Sequence, residues 1–297
     1  MGGLTELHRH LDGSLRVSTV HALARALETR VPDALLFHPG MGLDAALERF
    51  AFTLSLLQEP AALTRVASEM CEDAEAEGIT HLEIRFAPQL HGGSVESAVE
   101  AVLTGISGRA GLILCGLYGE APMVLDALVS VGSRYPGVVG IDLAGGPAPH
   151  HSWSLAEYRQ PFQRAKSLGL GRTVHAAEGR SPEEIRIAIE ELGAQRIGHG
   201  TTLLLDESVV ELVVERGVTL EACVTSNVHT GVISETLEHP VGLWLERGIQ
   251  VAICTDNTLF SDVSLPQELA RVERIAGVGE SGVATLVKMS RAAIFSG

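Results

Sequence analysis

The stretch TVHAAEGRSPEEIRIAIEELGAQRIGH, residues 173–199, contains a whole strand, helix and strand in twenty-seven positions. Thr173 to Ala177 is a short, mostly apolar run. Ser181 then stands as a helix N-cap, with Pro182 at the first helical position and Glu183 and Glu184 in the first turn. The helical pattern runs to Leu192, Gly193 breaks it, and Arg196 to His199 opens the next strand. Two strands joined through a helix are the signature of a parallel pair.

Outward from this unit the same alternation recurs. Further strand-like runs are Thr5 to His10, His81 to Ala87, Leu112 to Tyr118, Val138 to Leu143, Thr219 to Val224 and Gln250 to Thr255, which makes eight in all. Helical patterns lie between them, among them Asp206 to Arg216, stopped by Gly217. Strand then helix, eight times over, predicts an α/β chain folded as a (β/α)8 TIM barrel. An open doubly wound sheet is the alternative. One domain over residues 1–297 is expected, because such barrels commonly take about 250 residues. One interval is too long for a single helix. About seventy residues separate the first two strands, so an insertion at about 15–75 is expected to form a helical lid. Leu43, Leu47 and Phe50 fall at helical spacing there, either lining a pocket or packing the lid on the barrel.

Composition narrows the classes of function. With 22 Lys and Arg against 37 Asp and Glu, the formal charge is −15, which repels phosphate backbones and anionic membranes. Nucleic acid and membrane partners are therefore not expected. The four cysteines form no C-x-x-C pair and sit mostly in apolar runs, as buried reduced thiols would. No basic segment followed by an apolar core opens the sequence, and no apolar run reaches about 18 residues, so a cytoplasmic location is expected.

The polar residues sort by position. Strand residues point alternately inward, and those at C-terminal strand ends face the reaction site of a barrel. In LHRHLDGS, residues 7–14, His8 and His10 point inward together, whereas Arg9 faces the helices and an acidic partner. His175 ends the fifth strand, His199 the sixth and Asp256 the eighth. A single histidine on an apolar strand is more often a hydrogen-bonded core residue than a ligand. Four histidines and an aspartate on one rim make a set suited to a borderline divalent ion such as zinc; a polar rim without metal is the alternative. A bound ion lowers the pKa of water from ~15.7 to about 7, which makes hydrolysis the expected reaction class. Glu178, three residues beyond His175, is then a candidate general acid, its bland alternative being an ordinary acid near a helix N-terminus.

Seven motifs in order, ELHRHLDGS, EIRFAPQLH, GIDLAGG, HAAEG, RIGHGT, CVTSNVHTG and TDN, resemble those of the adenosine deaminase branch of the metal-dependent amidohydrolases, over nearly the whole chain. The resemblance implies an aminohydrolase that converts a 6-aminopurine nucleoside to the 6-oxo purine and ammonia through a metal-activated water. One zinc ion (Zn2+) per chain would be held by His8, His10, His175 and Asp256. Glu178 would protonate purine N1, and His199 would orient and deprotonate the attacking water, with Asp256 assisting. The implied substrate contacts are His10, Asp12 at a ribose hydroxyl, Gly145 at purine N3, and Asn257.

Several details sharpen this expectation. Neither Lys166 nor Lys288 lies on a strand, so the lysine that bridges two metals in related sites is missing and one metal is expected. The H-x-E and P-C-x-x-C signature of the cytidine-type deaminases is also missing. Asn257 stands where many family members carry a second acid, and its amide donates without any proton adjustment. HAAE replaces the commoner HAGE, so Ala176 or Ala177 is expected to narrow the floor of the site. Asp12 favours a nucleoside over free adenine. The other readings are a modified adenosine such as aminodeoxyfutalosine or a 5′-thioadenosine, then adenine itself, a non-purine metal-dependent hydrolase, or a binding protein that kept the fold.

Overall fold

The computed structural model describes residues 3–295. Eight strands form the centre: β1 (Leu4–His10), β2 (Ile79–Phe86), β3 (Gly111–Leu117), β4 (Val138–Ala144), β5 (Gly171–Ala176), β6 (Arg196–His199), β7 (Thr219–Ala222) and β8 (Gln250–Ile253). All eight expected runs are strands, their ends displaced by no more than about two residues. They are hydrogen-bonded in sequence order, every pair parallel. β1 reaches the end of β8 where His10 N–H donates to Asp256 O at 2.8 Å and Asp256 N–H to His8 O at 2.9 Å. The result is a nearly closed (β/α)8 barrel.

Leu, Ile, Val and Ala from the outward faces of the strands pack on the surrounding helices as one continuous core. The inside of the barrel is different. Glu6, Glu83, Arg85, Asp142, Arg196 and Glu221 come from five strands and are all buried. Arg85 and Arg196 compensate Glu83, Asp142 and Glu221, and Glu6 accepts from Thr255 Oγ1 and stands 3.6 Å from Arg9, as buried charges require. Arg196 reaches Glu83 at 2.5 Å and Glu221 at 2.8 Å. Below it the Phe295 ring lies 3.5 Å from the guanidinium and plugs the lower end of the barrel. A Cβ on Gly171 would stand 2.2 Å from that ring, so only glycine leaves room for the plug.

Helix starts follow the local chemistry. Asp206 accepts from the N–H groups of Ser208 and Val209 ahead of the helix Glu207–Arg216. In the helix Glu183–Glu190 the start lies one residue later than the sequence suggests, with Ser181 Oγ accepting from Glu183 N–H at 3.2 Å. Between β1 and β2 stand three helices, Val17–Ala26, Leu43–Leu56 and Pro60–Ala76. The third packs on β2 and on the helix Val95–Ile106 in the outer layer. The second, with the loop before it, faces the upper rim: the Phe50 ring is 6.4 Å from that of His10 and 4.8 Å from that of Phe260. Arg9 points outward as expected and pairs with Glu77 at 3.1 Å. The four cysteines are buried and unpaired. No helix among the described residues is long and apolar enough to cross a membrane.

Candidate active site

The barrel rim brings His8, His10, His175 and Asp256 together. His8 Nε2 lies 3.2 Å from His10 Nε2, and His10 Nε2 lies 3.3 Å from His175 Nε2. Asp256 Oδ1 stands 3.7 Å from His8 Nε2 and 3.5 Å from His10 Nε2. Donors held at ~2.0–2.1 Å around a four-coordinate ion stand about 3.3–3.4 Å apart, which the observed 3.2–3.7 Å spacings approach. His199 belongs to the same neighbourhood, near enough to share an ion with His8 and His175. Two rim residues, His199 (φ 67°) and Asp256 (φ 62°), hold left-handed backbone conformations that side chains normally avoid.

The proton positions explain why these nitrogens converge. His8 Nδ1 donates to Glu221 Oε2 at 2.7 Å, and His175 Nδ1 donates to Asp142 Oδ2 at 3.0 Å. A carboxylate only accepts, so the proton of each neutral ring sits on Nδ1 and the Nε2 lone pair faces the centre. Lone pairs of two imidazoles and a carboxylate oxygen, aimed at one point, repel unless a cation lies between them. The donor set fits a divalent metal ion. Arg85 governs both acceptors: its Nη1 is 2.8 Å from Asp142 Oδ2 and its Nη2 is 2.9 Å from Glu221 Oε2. Carboxylates that orient metal-binding histidines in this way are part of such a site.

Burial pushes His8 and His10 well below the usual imidazole range, with neighbouring cations adding to the effect. Burial lowers His175 too, but the Asp142 carboxylate outweighs it and the net direction is upward. For Asp142, burial is outweighed by His175 and Arg85, and the carboxyl falls far below its ordinary range. His199 is lowered by burial. Burial raises Glu178, yet His199, His175 and Arg180 reverse the sign and hold it below the ordinary glutamate range.

Above the rim lies a cavity of about 240 Å³. His10, Asp12, Gly145, His175, Glu178, His199, Asp256 and Asn257 all line it, so the residues singled out in the sequence face one space, His8 excepted, which is fully buried beneath. Asp12 Oδ1 and Asn257 Oδ1 are buried there without a hydrogen-bond partner. Burial pushes the Asp12 carboxyl up to about 7. Gly145 has φ 76° and nothing within 4 Å of where a side chain would begin, which leaves its backbone open to the cavity. The rest of the wall is apolar: Phe37, Leu43, Leu47, Phe50, Leu54 and Leu117. Leu43, Leu47 and Phe50 thus line the pocket. No lysine or arginine does among the described residues. The alanines of HAAE do not narrow the floor. Ala176 and Ala177 are fully buried in the packing between barrel and helices and do not border the cavity.

Several polar residues joined to the site carried no assignment from the sequence. Ser226 Oγ donates to Asp256 Oδ2 at 2.6 Å. Thr230 Oγ1 donates to Glu178 Oε1 at 3.1 Å. Asn227 touches both His199 and Glu178, and His239 touches Asn227. Ser226, Asn227 and Thr230 all lie in CVTSNVHTG, so the motif itself was their signal. Arg85 and Asp142 lie within EIRFAPQLH and GIDLAGG, and Glu221 within the run TLEACV, as charges inside apolar strands. His239 gave no signal.

The family model described as "Adenosine deaminase" matches residues 3–296. The adenosine deaminase of Clostridium perfringens is 37% identical over 290 residues, covering 91% of this chain and 86% of that protein. A probable adenosine deaminase of Dictyostelium discoideum is 37% identical over 284 residues, 89% of this chain but only 36% of that longer protein. Among solved structures, the N6-mAMP deaminase of Arabidopsis superposes with a TM-score of 0.88 at 28% identity, covering 99% of this chain and 94% of that one. Sequence, barrel and rim agree, and the chain belongs to the adenosine deaminase family of hydrolytic deaminases.

Proposed function

We propose that the chain hydrolyses the 6-amino group of a purine nucleoside, adenosine or a close analogue, to the 6-oxo purine and ammonia. The observation that carries this reading is one cavity holding the histidine and aspartate cluster, the Glu178 carboxyl and the unpaired Asp12 oxygen. His8, His10, His175 and Asp256 would hold one zinc ion, which supplies an acidified water when bound. Asp12 takes a ribose hydroxyl, the Gly145 N–H meets purine N3, and the Asn257 amide meets N7. Glu178, ionised at rest, takes up a proton and passes it to N1, which makes C6 electrophilic. His199 orients the attacking water.

The 5′ end of the substrate is uncharged on this reading. A phosphate needs a cationic or N–H cradle, and the cavity offers an apolar wall without lysine or arginine in a chain of charge −15. The Arabidopsis relative acts on a nucleotide by its name; this chain is assigned to nucleosides instead. The same wall favours a second reading, a nucleoside with an apolar 5′ group such as a 5′-thioadenosine. Values of kcat/KM on adenosine, a 5′-thioadenosine, adenine and AMP test both. The nucleosides should exceed adenine and AMP by at least about 100-fold, since a site built for hydroxyls discriminates against ligands that leave its polar groups unpaired. Equal or better turnover of AMP would overturn the assignment.

A further inference from the structure

His199 poses a chemical problem. It is near enough to His8 and His175 to share their ion, yet its proposed task is to hold the attacking water. What keeps it off the metal lies on its other side. Asn227, fully buried in the short helix Val224–His229 after β7, places Nδ2 at 3.0 Å from His199 Nδ1 and 3.5 Å from Glu178 Oε1. Its Oδ1 is 3.2 Å from Nε2 of His239, itself buried.

The orientation of this amide decides the proton positions around it, and two contacts select the orientation. Turning the amide over would set Oδ1 against the Glu178 carboxylate. It would also force His239 Nε2 to accept, moving the His239 proton to Nδ1. That nitrogen has no partner among the described residues, and the ring packs edge-on to Trp244. A buried unpaired N–H is costly, whereas the observed orientation leaves only a lone pair unmatched there. With Nδ2 donating to His199 Nδ1, the proton of the neutral His199 ring must sit on Nε2.

We propose that Asn227, backed by His239, is a positioning residue that fixes His199 in its Nε2–H tautomer, keeping it from ligating the metal and presenting it as a donor to the attacking oxygen. The same contacts order Glu178. Its Oε1 is occupied by donors from Asn227 and Thr230, so the transferable proton belongs on Oε2. The proposal rests on the deaminase reading only for its consequence; the tautomer itself is a property of the free chain.

Long-range proton–nitrogen correlation spectra of histidine-labelled, metal-free protein read which ring nitrogen carries the proton, with the His199 signals identified by their loss in His199→Gln. The expected result is Nε2–H for His199 in the natural chain. In Asn227→Asp, an acceptor replaces the donor, so the proton moves to Nδ1. Cobalt loaded into that variant should then show an altered ligand-field spectrum as His199 joins the ion. Turnover should fall by roughly two to four orders of magnitude with KM little changed, the scale set by a wrong tautomer or a lost acid–base partner. His239→Gln, which still donates to Asn227 Oδ1, should retain the Nε2–H form. If Asn227→Asp does not fold, His239→Leu provides the second reading and should give a mixture of tautomers. Nδ1–H in the natural chain, or an unmoved tautomer in Asn227→Asp or His239→Leu, overturns the proposal. Nε2–H in a protein that deaminates no purine would sink the functional reading and leave this one standing.

Discussion

Replacing Arg85 by methionine should damage stability and metal binding together. The guanidinium is fully buried and bonds Asp142 at 2.8 Å, Glu221 at 2.9 Å and the Leu7 carbonyl at 2.7 Å. Methionine fills much of the volume but leaves both carboxylates short of a counter-charge. Removing one partner of a buried ion pair costs about 3–5 kcal/mol. Glu221 would keep Arg196 at 2.8 Å, whereas Asp142 would keep only His175 and the weak Cys115 thiol contact, so the upper half of that range is expected. Against a domain stability of about 5–15 kcal/mol this is large and measurable by urea unfolding of metal-free protein. Because the same carboxylates aim His8 and His175, zinc affinity by chelator competition should fall about 10–100-fold. Combining Arg85→Met with Asp142→Asn and Glu221→Gln removes the stranded charges, so stability should recover while zinc affinity does not. A single variant within about 1 kcal/mol of the natural chain, or a triple variant that regains zinc affinity with stability, would refute the reasoning.

Glu178→Gln should keep its metal and lose roughly two to four orders of magnitude in kcat, as for a positioned general acid; metal loss would mean a structural role. Gly13→Ala would place a Cβ 1.9 Å from Asn257 Oδ1, displacing that amide, so KM should rise more than kcat falls, and unchanged kinetics would remove Asn257 from the binding surface. His239→Gln tests a linkage. Burial lowers His239 from 6.5 to about 3, so the unfolded chain takes up a proton that the folded one refuses. Its contribution is thus intact above pH 6.5 and lost as pH falls toward 3. Between pH 6.5 and 4.5 the natural chain should lose about 2 kcal/mol more than the variant, and parallel urea profiles would contradict the shift.

Strand order and the rim were legible because a barrel repeats one local pattern and exposes its strand ends to one side. His8, His10, His175, His199 and Asp256 could be placed on a common rim by counting positions along four short runs. The barrel interior was harder. Glu221 in TLEACV and Asp142 in VVGIDL are lone acids inside apolar runs, and only the partner from another strand shows that each aims a histidine. His239 lies in a loop, eight residues beyond the motif that ends at Gly231, so its link to Asn227 depends on tertiary packing alone. The wall of the cavity was half visible: Leu43, Leu47 and Phe50 share a helical spacing, whereas Phe37 comes from an irregular loop and arrives by stacking on Phe260 at 4.8 Å. Ala176 and Ala177 show the limit from the other side, since a motif position says nothing of which way a small side chain faces.

The central claim is tested most directly by incubating the zinc-loaded chain with adenosine and measuring ammonia and the 6-oxo nucleoside together. The account predicts equimolar formation of both, lost on chelation, restored by zinc, and suppressed in Glu178→Gln. Metal-loaded protein that consumes neither adenosine nor any 6-aminopurine nucleoside, while hydrolysing an ester or lactone, would contradict it.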